Sequence, residues 1–263
     1  MGQDISHMLR EWEFDPDSNV RKIRGDDGIQ KVQVRIDQGA FQGILQLNMD
    51  GRPDGRKPHG FDFVLDYYCH SLEVHRKKHS GSENGFTLDQ NDCKELFDEG
   101  VRVYGRYGFL LQLKDYERVI RDTERNMKLF RFVNDYALEE EDRSNLEKWW
   151  PYILRIHATA RAKLAVQEKD YEQAFEIIDE TKEKIAQLPQ VEAEEFFIES
   201  ERSQQALDEL REELQNSRPL SREERLKQDL QEAIDQDAFE EAALIRDELK
   251  SLQDPDPGQS GVN

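Results

Sequence analysis

The sequence predicts a mainly α chain of α+β type: a small antiparallel β-sheet near the N-terminus, helical hairpins after it, and a last helical hairpin at the C-terminal end. Three observations predict this. Apolar residues alternate with polar ones between Val20 and Met49, they recur every three or four residues from Phe61 onward, and one short text that opens a helix occurs three times.

An amphipathic start spans Ile5 to Trp12. In the sheet segment, Val32, Val34 and Ile36 stand two apart, as do Leu45, Leu47 and Met49, the period of strands with one buried face. Asp27-Gly28 and Gln38-Gly39 supply turn chemistry, so two or three antiparallel strands are expected. They should pack on helices, because an isolated hairpin is marginal in water. The loop Asp50 to Gly60 is dense in Gly, Pro and Asp. Its Arg52, Arg56, Lys57 and His59 offer an anion-binding concavity, and the plainer reading is a solvated connector with turn residues in place.

The first long helical pattern contains Phe61, Val64, Leu65, Tyr68, Leu72 and His75, and Gly81 to Gly85 interrupts it. Thr87 with Gln90 has the spacing of a capping box that opens the next helix. Ser144 with Glu147 has it again, ahead of Trp149, Trp150 and Pro151, where the proline should kink or restart the helix. Arg118, Arg121, Arg125, Lys128 and Arg131 form a basic stripe opposite Val119, Ile120, Met127, Phe130 and Val133. A solvated face paired with acidic neighbours accounts for it better than nucleic-acid contact, since no aromatic interleaving offers stacking.

The repeated text is Lys114-Asp115-Tyr116-Glu117, Lys169-Asp170-Tyr171-Glu172 and Asp237-Ala238-Phe239-Glu240. Each follows a separate helical stretch, and an aromatic in the first turn followed by apolar residues packs the second helix of a hairpin onto the first. The first two copies resemble tetratricopeptide-like hairpins. Their spacing of 55 residues, against about 34 in that family, implies long irregular hairpins instead of a regular array. Phe196, Ser200, Ser203, Leu207, Leu210 and Leu214 make a weak coiled-coil seam; it suits a stripe laid on the body, and dimerisation is the other option. The expected organisation is residues 1–110 as an α+β domain, 111–190 as helical hairpins, 191–220 as a charged helix or linker, 221–253 as the terminal hairpin, and 254–263 as a disordered tail.

Charge is uneven: 24 basic against 29 acidic residues over 1–160, and 13 against 28 over 161–263. The second part is a poor surface for phosphate backbones, so no direct nucleic-acid contact is expected through it. Two cysteines, no leader and no apolar run of about 18 residues predict a cytoplasmic protein without a membrane span. Gly2 and Ser6 fit a myristoylation pattern, but no polybasic cluster follows to make anchoring stable. Cys69, His70, His75, His79 and Cys93 lack the paired Cys-x-x-Cys of structural zinc. No phosphate loop, nucleophile elbow or dinucleotide loop occurs, so neither catalytic residues, metal nor cofactor are expected.

The segment from Arg222 to Leu252 resembles the UVR (UvrB/UvrC motif) family nearly end to end. Leu226, Leu230 and Ala233 match its first helix; Phe239-Glu240, Ala242-Ala243, Arg246-Asp247 and Leu252 match its second, with Leu249 standing where isoleucine is common. The resemblance implies a hairpin that pairs with other hairpins, in assemblies that include nucleotide excision repair proteins and adaptors of Clp proteases. Leu226, Leu230, Ala233, Phe239, Glu240, Ala242, Ala243, Arg246, Asp247 and Leu249 are therefore the expected partner-binding residues. Phe239 is expected to plug the turn. The expectation for the whole chain is a non-enzymatic adaptor whose partner carries a compatible helical hairpin. A ligand- or nucleotide-responsive regulator, or an enzyme, with its site on the Asp50 to Gly60 loop is the alternative.

Overall fold

The computed structural model describes residues 4–253, so the Gly2 reading and the expected tail lie outside the described residues. The chain is mainly α with one three-stranded antiparallel sheet, and it divides into two compact units at Glu212/Glu213.

In the first unit, α1 (Ser6–Glu11) leads into β1 (Val20–Arg24), β2 (Gln30–Gln38) and β3 (Phe41–Asn48), in sheet order β1-β2-β3. The register sets Val34 against Val20 and Leu45, and Val32 against Leu47, so the expected apolar stripe does share one face. Val32 and Val34 are buried, whereas Leu45 on the edge strand β3 is exposed. The polar face is covered as well, which alternation alone does not reveal. Gln33 and Arg35 are buried there: Arg21 donates to Gln33 Oε1 at 2.8 and 3.0 Å, Gln33 donates to Gln46, and Arg35 reaches the carbonyl of Trp12. The Arg21 guanidinium lies 4.0 Å from the Trp12 ring centroid.

A single 3-10 turn (Pro58–Gly60) precedes α2 (Val64–Lys78). No side chain of its own caps α2; the buried carboxylate of Glu99 does so from α3 (Gln90–Gln112), accepting from the amides of Val64 and Leu65 at 2.7 and 3.2 Å. Burial raises the Glu99 pKa, against the lowering effect of those amides. Helix α3 opens with a capping box of Asp89 and Asp92, two residues beyond the expected Thr87. The shift has a cause: Leu88 is held extended, bonded through its amide to Tyr136 and through its carbonyl to Leu138.

Next come α4 (Tyr116–Tyr136), α5 (Glu140–Glu147), α6 (Trp150–Gln167), α7 (Tyr171–Ala186) and α8 (Glu194–Ser217). Ser144 does not cap: it lies inside α5 with its hydroxyl on the Glu140 carbonyl, and α6 restarts at Trp149, with Pro151 in its first turn where a missing amide costs nothing. Helices α3–α4 and α6–α7 form antiparallel hairpins, and α5 between them accounts for the 55-residue spacing. Buried Ala158, Ala160, Ala162 and Ala165 let neighbouring helices approach α6 closely.

The boundary expected after residue 110 falls inside α3. Sheet residues Val32 and Val34 share one core with Val103, Tyr107 and Leu110 of α3, Tyr116 and Val119 of α4, and Ile156 of α6. A second cluster joins α2, α3 and α4 through Leu65, Leu72, Leu96, Leu129 and Val133. The α8 stripe is laid on the body: Phe196, Ser203, Leu207 and Leu210 are buried, and the Ser203 hydroxyl bonds the Pro151 carbonyl at 3.1 Å.

Between sheet and helices sits a buried ion pair. Arg106 and Asp122 are 0 and 1 % exposed and joined by two bonds of 2.6 and 2.8 Å. Arg106 also donates to the carbonyls of Asn48 and Gly51, which ties the end of β3 to the α3–α4 hairpin. The second unit holds α9 (Arg222–Asp235) and α10 (Phe239–Gln253).

Candidate docking hairpin

Helix α9 starts on a complete capping box: Ser221 Oγ accepts from the Glu224 amide at 3.1 Å, and the Glu224 carboxylate accepts from the Ser221 amide at 2.8 Å. That amide is the first cause of the lowered Glu224 pKa, and Arg218 pairs with the same carboxylate.

The helix ends in a Schellman turn. Asp237 has φ +57°, its amide bonds the Ile234 carbonyl at 3.1 Å, and the Ala238 amide bonds that of Ala233 at 2.8 Å. Lys114 (φ +56°) and Lys169 (φ +67°) make the same pair of bonds, with Asp115 reaching Leu110 and Asp170 reaching Ala165. All three copies of the repeated text are therefore one turn, and each places its aromatic residue first in the following helix.

Helices α9 and α10 pair along a short apolar seam. Ala233, Ala242 and Leu249 are buried, Leu226, Leu230 and Ala243 half-buried. Small side chains at the crossing permit close approach, as their positions predicted. Arg222 and Glu248 bridge the two helices at 2.6 Å across an exposed face, where such a pair adds little. Leu252 lies outside the residues whose side chains are described.

Phe239 does not plug the turn. It is 68 % exposed. Glu240, Arg246 and Asp247 are exposed too, with Arg246 bonded locally to Asp247 at 3.3 Å. Sequence reasoning missed two more apolar side chains in solvent: Ile234 at 45 % and Leu244 at 72 % exposure. A signal for Leu244 was present: Ala242 and Leu249, seven apart, mark the seam, and Leu244 falls about 200° round from Ala242 at about 100° per residue.

Most side chains of the loop and of the basic stripe already face neighbours. On the loop, Arg52 pairs with Asp54 at 3.1 Å and Lys57 with Asp62 at 2.8 Å, and His59 Nε2 lies 2.9 Å from the Glu95 carboxylate, so three of the four candidate side chains already face carboxylates. In the basic stripe, Arg118 and Arg121 hold Asp50, whose pKa falls to about 2 chiefly through the Arg118 hydrogen bond. Arg125 pairs with Asp66 and covers the Phe63 ring, and Arg131 lies over Trp150. His75 and His79 stack ring on ring, and among the described residues no group of three or more His, Cys, Asp or Glu is placed to hold a metal ion. Among the same residues no helix is long and apolar enough to cross a membrane.

Capped at its start, closed by a Schellman turn and zipped along small residues, α9 and α10 form a two-helix hairpin. Residues 224–254 match the family model of the UvrB/uvrC motif. The match covers 31 of the 263 residues and coincides with α9 and α10. No curated protein and no solved structure matches the chain.

Proposed function

We propose that this protein is a non-enzymatic adaptor that docks, through α9 and α10, onto a partner presenting a compatible helical hairpin. The observation that supports it is the exposure of Phe239 on a hairpin that matches an interaction motif. Large aromatic side chains at the centre of a contact contribute most to binding, and an exposed phenyl ring loses water only when something covers it. A two-helix unit is also too small to bury a sufficient core alone, which favours pairing with a second hairpin.

Residues 221–253 hold five basic and ten acidic side chains, so the preferred partner surface has a basic rim and binding weakens as salt rises. The family resemblance puts excision repair assemblies and Clp protease complexes first among the settings to search.

The test is capture of partners from the source cell on the full chain and on a Phe239→Asp variant. Loss of a specific helical-hairpin partner from the variant, with the helix content of both baits equal by circular dichroism, supports the docking role. Retention of the same partners on both baits rules it out.

A further inference from the structure

The sheet has two edge strands, and they are unlike. Strand β1 is five residues long and carries Arg21, Lys22 and Arg24; short, charged edges resist pairing with another chain. Strand β3 runs eight residues, and no charged residue occurs from Gln38 to Met49 in a chain of net charge −20. Phe41 and Leu45 on it stand 59 and 38 % exposed.

The backbone groups of β3 divide between two sides. The Met49 amide bonds the Gln30 carbonyl at 3.0 Å, and bonds between β2 and β3 recur at every second residue. Phe41, Gly43, Leu45 and Leu47 therefore face β2, while Gln42, Ile44, Gln46 and Asn48 face away from it. The loop takes up Asn48, whose amide bonds the Pro53 carbonyl at 2.9 Å. The outward amides and carbonyls of Gln42, Ile44 and Gln46 meet no partner among the described residues. An edge of this kind accepts an added strand.

The side chains say which strand. When β3 is set antiparallel to a copy of itself about Ile44, Gln42 falls opposite Gln46, Ile44 opposite Ile44, Phe41 opposite Leu47 and Gly43 opposite Leu45. Amide meets amide and apolar meets apolar, whereas a shift by two residues either way sets Ile44 against a glutamine. The glutamines complement each other as well. Gln42 Nε2 donates to Asp37 at 3.0 Å and Gln46 Oε1 accepts from Gln33 at 2.9 Å, which leaves an acceptor on Gln42 and a donor on Gln46.

We propose that two copies of this chain pair through β3, antiparallel and centred on Ile44, so that one sheet runs through both. Gln42, Ile44 and Gln46 of each copy then exchange backbone hydrogen bonds with Gln46, Ile44 and Gln42 of the other, and Phe41 and Leu45 are covered. The two-fold arrangement closes on itself, whereas β3 on the β1 edge of another copy would build an open chain. A neutral strand also lets two acidic chains meet without like charges opposed.

Sedimentation equilibrium of the full chain tests this. A short edge contact makes a weak interface, so a monomer–dimer equilibrium is expected between about 10 µM and 1 mM. Gln42→Lys with Gln46→Lys sets lysine opposite lysine twice and should weaken the dimer by about tenfold or more. Gln42→Lys with Gln46→Glu sets lysine opposite glutamate and should keep it. Phe239→Asp should also keep it, which separates this edge from the docking hairpin. A chain that stays monomeric at about 1 mM overturns the proposal. So does a dimer that tolerates the two lysines, one that the lysine–glutamate variant loses equally, or one that Phe239→Asp dissociates.

Discussion

The α3–α4 and α9–α10 hairpins close with the same turn and part company at the next residue. In both, a left-handed residue ends the first helix, two amides satisfy its last carbonyls, and an aromatic side chain opens the second helix. Tyr116 is 9 % exposed and Phe239 68 %. Tyr116 belongs to the core beneath the sheet, shared with Val103, Val119 and Ile156. Phe239 has no such layer. The same local chemistry thus yields a packing residue where a third element covers the turn, and an exposed residue on the two-helix hairpin. The remaining copy, with Tyr171 at the start of α7, is half-buried and lies between these extremes.

The comparison can be broken hardest at the ion pair that ties the first hairpin to the sheet. Asp122→Ala leaves the Arg106 guanidinium buried without its carboxylate and should cost about 3–5 kcal/mol in urea unfolding of the body. No charge in the terminal hairpin is buried that way: Arg222–Glu248 and Arg246–Asp247 are exposed, so removing either should leave stability nearly unchanged. A loss below about 1 kcal/mol for Asp122→Ala would mean that water reaches the pair.

The aromatic residues sharpen the same contrast at a smaller scale. Tyr116→Ala should destabilise the body by about 3 kcal/mol, the cost of emptying a core position. Phe239→Ala should stay within about 0.5 kcal/mol of the parent in the same assay. Equal losses at the two sites would show that Phe239 is packed in solution and would remove the argument for docking.

The smallest effect lies at the turns themselves. Lys114→Gly should relieve a left-handed backbone and raise local protection from hydrogen exchange by up to about 1 kcal/mol. Asp237→Gly should gain roughly half of that, because aspartate tolerates this conformation better than lysine. A loss of protection in either variant would show that the side chain, and not the backbone, stabilises the turn.

Short-range features were legible in the sequence. The periods of Val32, Val34 and Ile36, the turn texts at Lys114, Lys169 and Asp237, and the small residues Ala233 and Ala242 act within a few residues, so the chain itself dictated strands, hairpins and a terminal hairpin matching the UvrB/uvrC motif. What the tertiary structure alone decided depends on distant partners. Glu99 caps a helix 35 residues upstream, Arg106 reaches carbonyls more than 50 residues away, and Leu88 is drawn into an extended pairing that delays α3 to Asp89. Burial follows the same rule. Whether Tyr116 or Phe239 meets protein or water depends on what lies over the turn, and that layer is contributed by residues far along the chain.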